Sequence, residues 1–212
     1  MTQSTAIDLE ALARLLVARA GAGRTVTAIV GAPGSGKSTL AERLALRLDG
    51  AAPGSAAVLP MDGFHFDDAV LAARGLGARK GAPDTFDVGG LLHMLGRLRR
   101  NDEDEVAVPV FDRSLEISRA GARLISRAVR HVVVEGNYLL LAAEPWAALR
   151  PHFDTTVMVS VPEAVLRDRL TARWRGYGLR PEDVLAKVEG NDLPNGCFVA
   201  SESASAEFVI AA

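Results

Sequence analysis

One eight-residue stretch constrains this chain more than any other: Gly31-Ala32-Pro33-Gly34-Ser35-Gly36-Lys37-Ser38, the pattern G-x-x-x-x-G-K-[ST]. It follows a β-rich run, Thr25 to Val30. It opens a helical pattern from Ser38 to Leu48 that puts Leu40, Leu44 and Leu48 on one face. A strand that turns through glycines into a helix is the setting in which such a loop cradles phosphate. The glycines let successive backbone N–H groups point inward, and the helix N-terminus adds partial positive charge. Lys37 is placed to reach β- and γ-phosphates, and the Ser38 hydroxyl can ligate Mg²⁺. Gly31 through Thr39 are therefore the expected nucleotide-binding residues.

The remaining composition narrows the partners. The 212 residues fit one domain, and 49% apolar against 24% charged residues is a globular balance. A formal net charge of −2 argues against nucleic acid and membrane surfaces as partners. Of the 24 basic residues only three are lysines, Lys37, Lys80 and Lys187. A lone cysteine, Cys197, forms no internal disulfide, so a reducing, cytoplasmic setting is expected. The apolar run His131 to Ala143 is broken by Glu135, Gly136 and Asn137, and Asp8 and Glu10 stand where a signal peptide would be apolar. Membrane insertion is not expected; a homodimer stays open.

Strand and helix patterns alternate along the chain. Helices are expected over Ala6–Ala20, Ser38–Leu48, Val88–Arg100, Glu163–Arg175 and from Pro181 to about Glu189. Strands are expected over Ala56–Met61, Val106–Phe111, His131–Val134 and Thr155–Val161, with short final strands at Cys197–Ala200 and Glu207–Ile210. Asn101–Glu105 reads as a solvated acidic loop, and Pro109 as the mark of an edge or an end. Several strands are continuous apolar runs, the signature of a parallel sheet covered on both faces.

Acids at strand ends are candidates for chemistry, because ligands in such sheets bind at the carboxyl edge. Glu135 follows Val132-Val133-Val134 and is placed for Mg²⁺; Asp62 follows Val58-Leu59-Pro60-Met61 and is placed as a base. Either could instead form a turn or cap a helix. Asp87 could serve a substrate pocket or cap the helix beginning at Val88. Arg167, Arg169, Arg173 and Arg175 stud one helix. Arg169 and Arg173 share a face, either as a lid over transferring phosphate or as a solvated surface. His65 could bond a substrate hydroxyl or pack between phenylalanines. His93 and His152 read as structural or surface residues, and Trp146 and Trp174 as packing residues.

With Met61-Asp62-Gly63-Phe64-His65, Gly81-Ala82-Pro83-Asp84-Thr85-Phe86-Asp87 and Val134-Glu135-Gly136-Asn137 added to the phosphate loop, the chain resembles the phosphoribulokinase, uridine kinase and pantothenate kinase superfamily. It is most similar to the subgroup labelled fructose-transport-system kinase. Val108-Pro109-Val110-Phe111-Asp112, Ser114 and Asn191-Asp192-Leu193-Pro194-Asn195 extend the resemblance to nearly the whole chain, from about Arg24 to Ile210. It implies a P-loop NTPase fold, three layers α/β/α around a mainly parallel sheet. One domain would cover 1–212, with a small helical lid at about 167–180. It also implies that Asp62 is the general base, that Arg79 to Asp87 contact substrate, that Glu135 helps hold Mg²⁺, and that Arg169 and Arg173 are lid arginines.

Two departures bear on the acceptor. Trp174-Arg175-Gly176 follows Arg173 where uridine kinases carry an acid, and Phe111-Asp112-Arg113 stands where they hold a nucleoside base.

The expectation is an ATP-dependent, Mg²⁺-requiring kinase acting on a small-molecule alcohol. A sugar such as fructose comes first, with pantothenate or a nucleoside as alternatives. Catalysis would rest on Asp62, Lys37 and Arg173. Arg169 would join the loop in holding ATP, Ser38 and Glu135 would hold the metal, and His65, Arg79, Lys80, Asp87, Arg113 and Asn137 would face the substrate. A P-loop switch that hydrolyses ATP slowly and signals to a partner is the competing class. It would not need the substrate-side acid Asp62 or the basic pair Arg79-Lys80.

Overall fold

A computed structural model of the chain describes residues 4–21 and 23–212. In chain order the elements are β1 (Thr5–Ala6), α1 (Leu9–Arg19), β2 (Thr25–Gly31), α2 (Lys37–Ala51), β3 (Ala56–Pro60), α3 (Asp68–Ala73), α4 (Val88–Arg100), β4 (Glu105–Asp112) and β5 (Ile117–Ser126). Then follow β6 (His131–Gly136), β7 (Thr155–Ser160), α5 (Glu163–Gly176), α6 (Pro181–Lys187), α7 (Leu193–Glu202) and β8 (Phe208–Ala211). A π-helical turn, Val188–Asp192, joins α6 to α7, and a 3₁₀ turn, Met61–Phe64, follows β3.

Six strands form one all-parallel sheet in the order β1-β8-β7-β2-β6-β3. The continuous apolar runs are explained by burial on both faces. In β6, Val132 and Val134 join Leu91, Leu95 and Leu98 of α4 in one core, while Val133 joins Leu12, Leu16, Leu44 and Leu48 of α1 and α2 in the other. The result is the expected three-layer α/β/α arrangement. No helix among the described residues is long and apolar enough to cross a membrane.

β2 lies between β6 and β7, so the chain leaves it toward β3 on one side and returns later to β7 on the other. Ligands bind in the crevice at such a switch point. Register aligns the edge: Val30 of β2 pairs with Gly136 of β6, and Pro60 of β3 pairs with Glu135. The phosphate loop, Glu135 and the turn bearing Asp62 thus leave the sheet at one level.

Three segments differ from expectation. Ala6 belongs to a short strand on β8, and α1 starts only at Leu9, where the Asp8 carboxylate accepts from the Ala11 N–H at 2.7 Å. Cys197–Ala200 lies inside helix α7 and is not a strand. Gly196 and Val199 are buried whereas Cys197 and Phe198 are exposed, which is helical rather than alternating burial. The strand at Val106–Phe111 is half of a separate antiparallel hairpin, β4-β5. Its second strand has no alternating apolar pattern, because most of it is exposed.

Candidate active site

The loop after β2 takes the conformation its glycines allow. Gly34 has φ +77°, and a Cβ there would meet Cγ of Leu170 on α5 at 3.0 Å. The glycine therefore both makes the turn and lets α5 rest on the loop. Lys37 is the first residue of α2, with the unpaired N–H groups of the helix start beside it. The Ser35 hydroxyl is buried without a partner.

The oxygen donors fit a small hard cation. Ser38 Oγ donates to Glu135 Oε2 at 3.1 Å. Among the described residues no cluster of three or more His, Cys, Asp or Glu could form a cage. One hydroxyl and one carboxylate beside a phosphate cradle suit Mg²⁺, which keeps waters and phosphate oxygens as its other ligands.

Asp62 sits in the 3₁₀ turn after β3, and the Arg113 guanidinium donates to its Oδ2 at 2.5 Å. Burial pushes the Asp62 carboxyl up, but Arg113, His65, Lys37 and Arg173 outweigh it and hold the group below the usual carboxylate range. Glu135 responds oppositely: burial raises it, with Lys37 opposing. Burial also lowers Lys37, while Glu135 and Asp62 draw it back toward the charged form. An ionised carboxylate in this position can accept a hydrogen bond from a hydroxyl bound in the cavity.

His65 packs on aromatic rings as expected, and it also reaches the cavity. Its ring lies against Phe86 at 3.9 Å and Phe111 at 4.8 Å, and it also lines the cavity holding Lys37 and Asp62. Nδ1 donates to the Asp62 carbonyl at 2.9 Å, which leaves Nε2 of a neutral ring as an acceptor. Burial lowers the imidazole pKa and favours that neutral ring.

Lys80, Arg113, Asn137 and Arg173 line the same cavity. Arg169, one turn before Arg173, instead donates to the Ser35 carbonyl at 3.4 Å and borders a second cleft with Gly34, Gly36 and Thr39. The helix therefore sends one arginine to each side of the loop. Arg167 pairs with Glu163 and Glu189, away from the cavity.

Two expected pocket residues lie elsewhere. Asp87 is exposed and accepts from the Gly90 N–H at 2.8 Å, so it caps α4. Arg79 is exposed and pairs with Asp84 at 3.1 Å, since the short 3₁₀ turn Gly77–Arg79 points it outward while Lys80 turns in.

Sequence reading missed the opposite wall. Trp174, expected to pack, lines the cavity and donates Nε1–H to Asp192 Oδ2 at 2.6 Å; Asn191, Asn195 and Lys187 line it too. The stretch Asn191-Asp192-Leu193-Pro194-Asn195 is polar, a pattern that a solvated surface shares. Trp146, by contrast, packs edge-to-face with Phe86 and Tyr138 in the core.

No family model matches the chain. A solved structure from Silicibacter sp. TM1040, described as a "putative fructose transport system kinase", is 39% identical, covers 96% of this chain and 98% of its own, and superposes with TM-score 0.89. An Escherichia coli K12 protein named "Uncharacterized protein YggC" is 36% identical over 190 residues, 88% of this chain and 77% of its own. A Schizosaccharomyces pombe protein named "Putative uridine kinase C227.14" is 31% identical over 198 residues, 88% of this chain and 83% of its own. More distant relatives carry the names pantothenate kinase and ATP-dependent kinase. With the phosphate loop, the parallel sheet and these relatives in agreement, the chain belongs to the P-loop kinases of the uridine and pantothenate kinase type.

Proposed function

We propose that this kinase transfers the γ-phosphate of ATP to a hydroxyl of a small polar acceptor, a sugar or sugar derivative, with fructose the first compound to test. The observation that carries the reading is the cavity itself, in which Asp62 and Lys37 share one space with His65, Asn137 and Arg173. A cavity of about 130 Å³ suits a small acceptor rather than a polymer. His65 packs directly on Phe86 and Phe111, tilted 43° and 44°, which leaves no slot for a nucleobase between these rings and supports a hydroxylated acceptor.

In this reading the backbone N–H groups of Gly34 to Lys37 hold the triphosphate, and Lys37 bridges its outer phosphates. Ser38 and Glu135 would hold Mg²⁺, which neutralises phosphate charge when bound. Asp62 orients the acceptor hydroxyl and takes its proton as the oxygen bonds to the γ-phosphorus and the bond to ADP breaks. Arg173 covers the charge on the transferring group. Positioning and charge neutralisation supply most of the rate, because phosphoryl transfer needs little covalent help from the protein. The lid in this reading is about residues 167–180, which carries Arg173 to the cavity.

The test is ADP formation with and without a panel of sugars, nucleosides and pantothenate. Stimulation by one alcohol supports the kinase, and a flat low rate supports a slow switch. With that alcohol, Asp62→Asn is expected to lose at least about 10²-fold in turnover. Lys37→Ala should abolish turnover with the fold retained, and full activity in that variant refutes the scheme.

A further inference from the structure

In the reading above Arg173 covers the transferring phosphate, and its aim depends on the last turn of α5. Leu166 and Leu170 are the buried residues of that helix, and none from 171 to 178 is buried. Beyond Leu170 the apolar contact of the turn comes from Trp174, half-buried against the cluster of Leu166, Leu170, Val184, Val188 and Leu193. A helix end with so little buried surface opens at low cost unless another contact holds it.

We propose that Asp192 is a positioning residue for phosphoryl transfer: it grips the Trp174 indole and so fixes the Arg173 guanidinium over the transferring group. The proposal rests on the kinase reading above and adds a residue to its machinery.

The grip is one bond in a dry place. Asp192 is 8% exposed and accepts Nε1–H of Trp174 at 2.6 Å. Water does not replace either partner freely there, so losing one leaves a buried polar group unpaired. Burial pushes the Asp192 carboxyl up, and Trp174, Arg173, Lys187 and Lys37 oppose the rise. Charged or neutral, the group keeps an oxygen for the indole N–H. The ring passes the constraint on. Arg173 Cζ lies 5.9 Å and Lys187 Nζ 5.6 Å from its centroid, and Tyr177 packs edge-on at 5.8 Å. A guanidinium drawn to a fixed ring has fewer directions in which to swing.

Asp192 is itself anchored from the other side. Val188 and Leu193 are five residues apart, yet both face the cluster, which an α-helical period would not give. The wider π turn accommodates both and leaves Asp192 buried next to Leu193. From there α7 rests on the phosphate loop, where a Cβ at Gly196 would stand 3.2 Å from that of Ala32, and Val199 reaches the main core. The far end of α7 is tied to the segment after β6: the Ala142 N–H donates to the Glu202 carbonyl at 2.9 Å, and the Ala204 N–H to the Leu140 carbonyl at 2.7 Å. Asp192 thus refers the last turn of α5, and Arg173 with it, to the loop that holds the nucleotide.

The first arm of the experiment needs no substrate. The chain has two tryptophans, Trp146 and Trp174. Trp146 is 4% exposed in the core, so acrylamide quenching of the emission reports Trp174. Asp192→Leu should increase that quenching, and Asp192→Asn, which keeps an acceptor oxygen, should leave it near wild type.

The second arm measures ADP formation with the alcohol that stimulates the wild type. Asp192→Leu and Trp174→Phe should each lower kcat about 10-fold, as loss of a hydrogen bond to a charged group would give, with acceptor KM within about twofold. Asp192→Asn should keep kcat within about threefold, and the double variant should be no slower than the slower single one, because both changes remove the same bond. Should Asp192→Leu fold poorly, Trp174→Phe, at a half-buried position, carries the kinetic test.

Unchanged quenching in Asp192→Leu, or kcat within about twofold of wild type in a single variant, overturns the proposal and leaves the kinase reading standing. A loss that falls on acceptor KM with kcat retained also overturns it and makes Asp192 a contact of the acceptor. No stimulation of the wild type by any alcohol removes the kinase reading and the proposal with it.

Discussion

Gly136 ends β6 one residue after Glu135 and lies against Met61, the residue before Asp62. A Cβ placed at Gly136 would overlap Cβ and Sδ of Met61 and meet its Cγ at 3.0 Å. Met61 is 0% exposed, so it has no solvent to swing into. Its sulfur can turn aside, but its Cβ moves only with the backbone of the 3₁₀ turn. Gly136→Ala must therefore push that turn away from β6. Overpacking of this kind costs about 1–3 kcal/mol. The same shift carries Asp62 away from Glu135 and the phosphate loop, and a misplacement of about 1 Å costs on the order of 10²-fold in turnover.

Urea denaturation should show a lower midpoint with an unchanged slope, and ADP formation with the best acceptor should fall accordingly. A cycle with Met61→Gly, the one change that removes the Met61 Cβ, isolates the cause. That change alone costs at least the ~2–5 kcal/mol of truncating a buried Met, but in the double variant the overlap is gone, so the combined loss should fall short of the sum by about 0.5–3 kcal/mol. Additive losses, or a Gly136→Ala enzyme with turnover within about twofold of wild type, refute the argument.

Asp87→Ala removes the cap of α4 and should cost about 1 kcal/mol in stability while kcat and KM stay within about twofold; a rise in acceptor KM returns Asp87 to the substrate pocket. His131 is buried in β6 with Nδ1 3.0 Å from Thr25 Oγ1, and burial, with Arg130 adding, holds its imidazole pKa below the ordinary 6.5. The unfolded chain therefore binds the proton first, so this stability is complete above about pH 6.5 and is lost as pH falls toward the folded pKa. Melting temperature should drop more steeply between about pH 7 and 5 in wild type than in His131→Gln, and parallel curves contradict the assignment.

The phosphate loop was legible because its chemistry is local: one strand, six loop residues and one helix turn are contiguous, so spacing alone specifies them. The parallel sheet was legible for a related reason, since burial on both faces leaves strands such as β2 and β6 with unbroken apolar runs. Asp62 and Glu135 were found because each directly follows such a run.

Lys80 and Arg113 were expected on the acceptor side through the family resemblance, but their meeting with the opposite wall comes from tertiary structure alone. Arg113 arrives on the β4-β5 hairpin, Lys80 on the loop after α3, Trp174 on α5, and Asn191, Asp192 and Asn195 across the π turn into α7. None of these segments has a pattern that distinguishes a cavity wall from a solvated surface, because polar residues satisfy both equally well. The same ambiguity left Arg79 and Lys80 a pair in sequence, until backbone direction turned one outward to Asp84 and the other inward to Phe111. From its sequence alone this protein is a chain built to hold a triphosphate. Which molecule receives the phosphate depends on side chains that meet only when hairpin, lid and sheet edge are packed together, since that packing removes the water that would otherwise screen them.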